Sequence, residues 1–460
     1  MASFRVAFTG SHSRSVTFAH IARNLVKQGV EVYFIMPGAK HRIRYLADMG
    51  FDRCRILDLV SADRTPDGDA LKLMEEHSAV SASYMIMSDR LLCEKGSEAY
   101  GYLGGVFKSV SQFITDNRID IVFSEATWAY ELAVCAACSH AGAEFIVPHG
   151  VRIPNGRFGF FRGIFQDSLI RLNSAQQVLP LPAKFRAEHA PAQPELISKR
   201  HFVSFFRHMN RYLRGTAKDE TEQTVFGLVK ERVACELNMR MSGFSRMEDI
   251  PAGDYVYMPL HIAPEASLDV LGGFRQNQLE LVRSVARSLP HGMILAVREH
   301  PAGLGRRHHG FFRETAVLPN VVNVSPYADG VRLIAKARAV VSVSGSAAYE
   351  AAFAGVGSVV FSDIFFGLLP TVFRCRSVED IGDVLRQAMD AKPDKHALAE
   401  FLADIAANSY EGCVDSAERF PQAIEKENAR KVSQAFMDII EYYSSSERPL
   451  YAASMSSRWS

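Results

Sequence analysis

Along this chain a short apolar run repeatedly breaks at small residues, enters a helix striped with apolar side chains, and leaves it as another apolar run. "RVAFTG", "SHSRSVTFAHIARNLVKQG" and "VEVYFIMPG" form the first such unit. Its helix places Phe18, Ile21, Ala22, Leu25 and Val26 on one face, and Gly29 closes it before the next strand. Strands joined by a helical crossover run parallel, so the pattern demands a parallel sheet with helices on its faces. It returns at "IDIVFSE", "ATWAYELAVCAACSHAG" and "AEFIVP". From Tyr255 it resumes as "YVYMPL", a helix over 278–289, "MILAVREHP", "NVVNVSP", a helix over 330–337, "AVVSVSGS", a helix carrying Glu350, and "SVVF".

A chain of 460 residues exceeds one ordinary core. The alternation divides it into an α/β domain over 1–195, a helical basic connector over 196–252, and a second α/β domain over 253–400. Helices that cross back toward the first domain follow over 401–443, and a polar tail over 444–460. Two Rossmann-like domains are therefore expected. In the connector, Phe202, Phe205, Phe206, Met209 and Leu213 recur at helical spacing among Lys199, Arg200, Arg207, Arg211 and Arg214. That pattern suits either an interdomain helix or a helix lying on an anionic membrane.

Composition narrows the partners. Apolar residues make up 48% and charged residues 22%, the usage of a globular chain. No apolar run approaches the roughly 20 residues that span a bilayer. "MASFRVAFTG" lacks a basic segment followed by a long apolar one, so a cytoplasmic location is expected. A net charge of +1 gives no bulk attraction for nucleic acid, and an anion has to be met locally. The seven cysteines are scattered, and Cys135 and Cys138 read as packing within a helix rather than as metal ligands. Asp67-Gly68-Asp69 reads as a turn, and no metal set is expected.

Candidate site residues cluster at strand ends, where open α/β sheets bind ligands. "VSVSGSAAYEAAFAG" turns through Ser344, Gly345 and Ser346 into a helix, whose free N–H groups and partial positive charge favour a phosphate. Glu350, one turn further on, has the wrong sign for phosphate and suits the hydroxyls of a ribose. Arg298 and His300 stand where "MILAV" runs out, placed to pair with a diphosphate. A polar loop after Leu260 holds His261, Glu265 and Asp269. In the first half, "FTGSHSRS" supplies His12, and "FSEATWAYE" supplies Glu125, Trp128 and Glu131. "VPHGVRIPNGRFGFFRG" supplies His149, Arg152, Asn155 and Arg157. The two arginines suit a carboxylate or phosphate; Glu125, His149 or His12 suits a general base. No G-x-S-x-G elbow for Ser-His-Asp hydrolysis occurs.

The run from "YMPLHIAPEAS" through "VREHP" and "PNVVNVSP" to "VSVSGSAAYEAAFAGVGSVVF" resembles the capsule polysaccharide biosynthesis family, which includes Kdo transferases of bacterial capsules. More broadly it is similar to GT-B glycosyltransferases and UDP-sugar 2-epimerases. The likeness covers about 110 residues of the second domain, and "FSEATWAYE" and "RIPNGRF" extend it. It implies two domains facing across a cleft, metal-independent chemistry and no cofactor. A UDP- or CMP-linked nucleotide-sugar would bind at Arg298, His300, Ser344–Ser346 and Glu350. A glycan or lipid-linked acceptor would bind at Trp128, Arg152, Asn155 and Arg157, with peripheral contact at the inner membrane. Glu125, His149 or His12 would be the base of an inverting transferase; Glu125 or Asp269 would be the nucleophile of a retaining one. A nucleotide-sugar epimerase or a non-catalytic assembly or export factor stands as the alternative.

Overall fold

In the computed structural model, the described residues are 4–10, 14–38, 40–173, 243–245, 255–263, 265–308 and 310–445, with 229 and 233 singly. They form two compact units, one from 4–173 and 405–445, the other from 243–404. His12, the basic segment 199–214 and the tail from 446 lie outside the described residues.

The first unit opens with β1 (Arg5–Thr9), α1 (Arg14–Lys27), β2 (Glu31–Met36), α2 (Lys40–Asp48) and β3 (Ile56–Asp58). It continues through α3 (Gly68–Glu76), α4 (Ala82–Met87), α5 (Glu98–Asn117), β4 (Ile121–Phe123), α6 (Ala129–Ala141), β5 (Glu144–Gly150) and β6 (Arg157–Arg162). The second holds β7 (Tyr255–Pro259), α7 (Ala266–Asp269), α8 (Gln278–Ser288), β8 (Ile294–Arg298), α9 (Phe311–Ala316), β9 (Val321–Val324) and α10 (Gly330–Lys336). It goes on with β10 (Ala339–Ser342), α11 (Ser346–Ala354), β11 (Ser358–Val360), β12 (Val372–Arg374), α12 (Ile381–Asp390) and α13 (Lys395–Ala407). β13 (Tyr410–Glu411) and α14 (Lys426–Ser445) complete the first unit.

The first sheet runs β13-β6-β5-β4-β1-β2-β3, parallel from β5 to β3, with β6 and β13 added antiparallel. The second runs β12-β11-β10-β7-β8-β9 and is parallel throughout. Counted from the first strand of each unit, both contain the order 3-2-1-4-5 of a doubly wound sheet. The order in which strands are added therefore reverses between β1 and β4 and again between β7 and β10. At each reversal the two connections leave to opposite faces and open a crevice beyond the strand ends.

Strand alternation explains the layers. Val6 and Phe8 face α1 and α14, sharing a core with Phe18, Leu25, Phe436 and Ile440. On the opposite face, Tyr33 meets Phe113 of α5 edge to face at 6.0 Å. In the second unit Val256, Met258, Val341 and Val343 pack with α8 and α12, while Tyr255, Tyr257 and Val340 pack with α10 and α11. One helical expectation needs correction: Phe18, Ile21, Ala22 and Leu25 are buried, but Val26 is 45% exposed. At 100° per residue it lies past the edge of the apolar stripe.

Candidate functional site

Each crevice holds a cluster of polar side chains. In the second unit it begins with the turn after β10. Ser342 Oγ accepts the Gly345 N–H at 3.0 Å, and His261 Nε2 accepts the Ser344 N–H at 3.3 Å. Ser344 Oγ donates to the Ser267 carbonyl. The Ser344 and Gly345 amides, which the sequence offers to a ligand, are thus used within the fold. Among the described residues, the Ser346 and Ala347 amides have no intrachain acceptor; the Ala348 N–H already reaches Gly345 O at 3.2 Å. The open donors of α11 therefore start one residue later than the turn itself. Gly345 is required for space: a Cβ there would stand 2.6 Å from Ser342 Oγ and 3.2 Å from His261 Cε1.

Beside this turn, Ser346 Oγ donates to Glu350 Oε1 at 3.2 Å, which holds the carboxylate over the first turn of α11. Arg298, at the end of β8, donates to Pro326 O at 2.8 Å and to the Tyr257 hydroxyl at 3.4 Å. Its Nε is buried without a partner among the described residues. Burial pushes the Tyr257 phenol up, with Arg298 opposing and the nearby Glu350 and Asp329 carboxylates adding to the rise. His300 is exposed and its Nδ1 accepts the Ala302 N–H at 3.1 Å, so in the neutral ring the proton sits on Nε2 as a donor. The loop is anchored from below by Glu299, fully buried and gripped by Arg307 through Nε–Oε2 at 2.6 Å and Nη2–Oε1 at 2.9 Å. Glu299 also accepts the His300 N–H at 2.7 Å. Asp269 lies in α7, where its carbonyl accepts from Gln276.

Ser342, His261, Ser267 and Glu265 also form a chain of contacts in the manner of a hydrolytic relay, at 3.2, 3.4 and 2.7 Å. Ser342 is 1% exposed and its oxygen is occupied by the Gly345 N–H, so it presents no nucleophile to a substrate.

In the first unit Arg14 occupies the crevice between β1 and β4. It is buried and contacts Glu125 (Nε–Oε1 2.6 Å), Asp415 (3.5 Å) and the Val414 carbonyl. Thr17 Oγ1 donates to Asp415 O at 2.9 Å, tying the segment before α14 to the same crevice. His149, near the end of β5, donates from Nδ1 to Gly150 O at 3.0 Å, which leaves its lone pair on Nε2. Burial, reinforced by Arg152 and Arg14 and opposed by Asp415, lowers its pKa to about 4. Glu131 is fully buried in the first turn of α6 and accepts the Thr127 and Trp128 N–H groups at 2.7 and 3.1 Å and the Tyr130 hydroxyl at 2.8 Å. Burial first, then the Glu125 carboxylate, push it up to about 8. With Asp89 accepting the Ala129 N–H at 3.0 Å, the N-terminus of α6 is filled by side chains, unlike that of α11.

Two residues chosen from sequence as acceptor ligands have other contacts. Trp128 is 4% exposed, with the Arg90 guanidinium 4.3 Å over its ring. Arg157 donates to Ser409 Oγ at 2.9 Å and Ala406 O at 3.0 Å, bracing β6 against β13. Asn155 is exposed at the tip of the β5–β6 connection. Arg152, in the same connection, adopts a left-handed backbone with φ 68°.

A scan against protein-family profiles finds no match, and a search of curated proteins finds none. Among solved structures, the chain is similar to UDP-GlcNAc 2-epimerase from Methanocaldococcus jannaschii in complex with UDP-GlcNAc and UDP, at 11% identity, covering 94% of this chain and 99% of that one with a TM-score of 0.31. It is similar to UDP-GlcNAc 2-epimerase from Neisseria meningitidis bound to UDP-GlcNAc, at 11% identity, 95% and 99% coverage and a TM-score of 0.31. The calicheamicin glycosyltransferase CalG4 aligns at 12% identity, 98% and 100% coverage and a TM-score of 0.29. Superposition over the whole chain is loose at these values, and the fold class rests on the strand order within each unit.

Sequence reading did not single out Arg14 or Asp415; it placed Glu299 at the strand end and Arg307 in the loop after it, as a further candidate for a diphosphate or a solvated helix start, without pairing the two. Asp415 is 401 positions from Arg14, and no local pattern connects them. His261, read only as part of a polar loop, had one available signal: it follows the first strand of its unit, beside the reversal of strand order.

Among the described residues no group of three or more His, Cys, Asp or Glu is placed to hold a metal ion. No described helix is long and apolar enough to cross a membrane.

Proposed function

We propose that the chain is a metal-independent glycosyltransferase of the GT-B type. It moves a sugar from a nucleotide-sugar, UDP- or CMP-linked, to a glycan or lipid-linked acceptor in bacterial surface polysaccharide synthesis of the capsule or O-antigen kind. The observation that carries this reading is the open first turn of α11 beside the reversal between β7 and β10. Unpaired Ser346 and Ala347 amides adjoin Glu350, with Arg298 and His300 on the neighbouring strand end. The amides and the helix dipole suit a diphosphate, Glu350 the ribose hydroxyls, and Arg298 and His300 the charge that grows on the departing nucleotide.

In this reading the first unit binds the acceptor, and His149 removes the proton from its hydroxyl. Glu125 is engaged by the Arg14 guanidinium, whereas His149 Nε2 retains its lone pair. The low pKa of His149 keeps that nitrogen unprotonated down to about pH 4. The location that follows is the cytoplasmic face of the inner membrane, where lipid-linked acceptors lie.

Calorimetric titration with UDP, CMP and GDP tests the reading. One of them is expected to bind, with affinity about tenfold or more weaker in Glu350→Ala and Arg298→Ala. No binding to the folded protein rejects the donor site. A second reading, a nucleotide-sugar 2-epimerase, draws on the Glu125, Glu131 and His149 cluster, a set able to remove and return a proton. Incubating the activated sugar without acceptor separates the two: an epimerised sugar supports this second reading, and an unchanged one supports transfer.

A further inference from the structure

His261 is the second residue beyond β7, and Ser342 is the last of β10, so the contact between them spans the crevice at which the second sheet reverses. His261 is 9% exposed. Its Nε2 lies 3.3 Å from the Ser344 amide nitrogen and 3.2 Å from Ser342 Oγ. A backbone N–H can only donate, so Nε2 carries the lone pair and the ring proton resides on Nδ1. Nδ1 faces Ser267 Oγ at 3.4 Å, and that hydroxyl donates to Glu265 Oε2 at 2.7 Å. Every donor in the chain from ring to carboxylate therefore meets an acceptor.

The main chain of His261 is fixed as firmly as its ring. Its N–H donates to Gln278 Oε1 at 2.7 Å, and its carbonyl accepts from Gln278 Nε2 at 3.2 Å and from Arg307. The same Arg307 grips Glu299 beneath the His300 loop. One buried histidine thus connects the ends of β7, β8 and β10.

We infer that His261 is a positioning residue for anion binding by α11. By holding the Ser344 N–H through Nε2, it orients the Ser344–Gly345 turn so that the amides turned toward a ligand are those of Ser346 and Ala347. The Ser267–Glu265 pair selects the tautomer that makes this possible. The inference rests on the reading of α11 as a nucleotide phosphate site, and it assigns His261 no contact with the reacting atoms.

Two measurements on the full-length chain test it. Nitrogen-15 NMR of labelled histidines, with His261→Gln used to assign the signal, is expected to show a neutral ring protonated at Nδ1. A ring protonated at Nε2 overturns the inference. The second measurement compares affinities for UDP, CMP and GDP with those for uridine, cytidine and guanosine, so that the gain due to phosphate is isolated. His261→Leu is expected to reduce that gain about tenfold while nucleoside affinity stays within about twofold. His261→Gln, whose amide oxygen reaches the Nε2 position, restores most of it. If the leucine variant does not fold, His261→Asn serves instead: its shorter side chain leaves Ser344 unheld, and the same loss is expected. An unchanged phosphate gain in a folded variant, or an equal loss for nucleoside and nucleotide, overturns this inference alone. Failure of the wild type to bind any nucleotide overturns the nucleotide reading and this inference with it.

Discussion

Burial acts on Glu131 and His149 in opposite directions, and the sign of each effect can be followed with pH. Glu131 is raised from 4.5 to about 8. The stability it contributes is fully present below pH 4.5 and is lost as pH rises through about 8. His149 is lowered from 6.5 to about 4, so its contribution is present above 6.5 and lost as pH falls through about 4. The two slopes oppose each other between 4.5 and 6.5, and stability should decline on either side of that range. Glu131→Gln copies the protonated acid: its oxygen takes the Thr127 and Trp128 N–H groups and its amide faces Tyr130. Chemical denaturation from pH 6.5 to 9, above the range in which His149 titrates, should show the wild type losing stability and the glutamine variant remaining nearly flat. A parallel decline in both would mean that another group controls the alkaline limb. Arg14 illustrates a different residue-scale effect. Replacing it by Met leaves Glu125 and Val414 O in a buried crevice without their donor, a change expected to cost about 3–5 kcal/mol.

At the scale of elements, periodicity made most of the sheet legible. The strands with continuous apolar runs, β1, β2, β4, β5, β7, β8 and β10, are buried on both faces, and helical stripes marked α1, α6, α8 and α10. Once strand ends are located, Glu125, His149, Arg298, His300 and Ser344–Ser346 follow as residues at or just beyond them. The antiparallel partners were not legible in the same way. β13 is two residues long, and Arg157 secures it through Ser409 and Ala406, contacts spanning some 250 positions that carry no periodic signal. The turn into α11 offers a direct test at this scale. Gly345→Ala would place a methyl 2.6 Å from Ser342 Oγ. We expect a stability loss of about 1–3 kcal/mol from overpacking, together with a fall in nucleotide affinity of about tenfold or more. Gly68→Ala, at the start of α3 with nothing within 4 Å of the added carbon, is the matched control and should alter neither.

The whole chain folds around separate cores, and the first is closed by the last helix. Phe436 of α14 is fully buried and meets Phe123 at 4.6 Å, Phe160 at 5.0 Å and Phe8 at 5.8 Å. Its ring therefore joins β1, β4 and β6 across more than 270 positions of intervening sequence, a closure that apolar periodicity in α14 permits but cannot assign to a particular sheet. Among the described residues, the apolar clusters of the second unit contain no residue of α14. Phe436→Ala should remove about 3–5 kcal/mol from the first unit. In hydrogen exchange, protection should fall across β1, β4 and α1 while β7, β8 and β10 keep theirs. Saturation with the nucleotide that binds should act on the other set: at 100 times its Kd, about 2.7 kcal/mol of added stability is expected in β7, β10 and α11. Equal changes in both units under either perturbation would show that the chain opens as a single cooperative block, and that the α14 closure and the α11 turn cannot be assigned to separate cores.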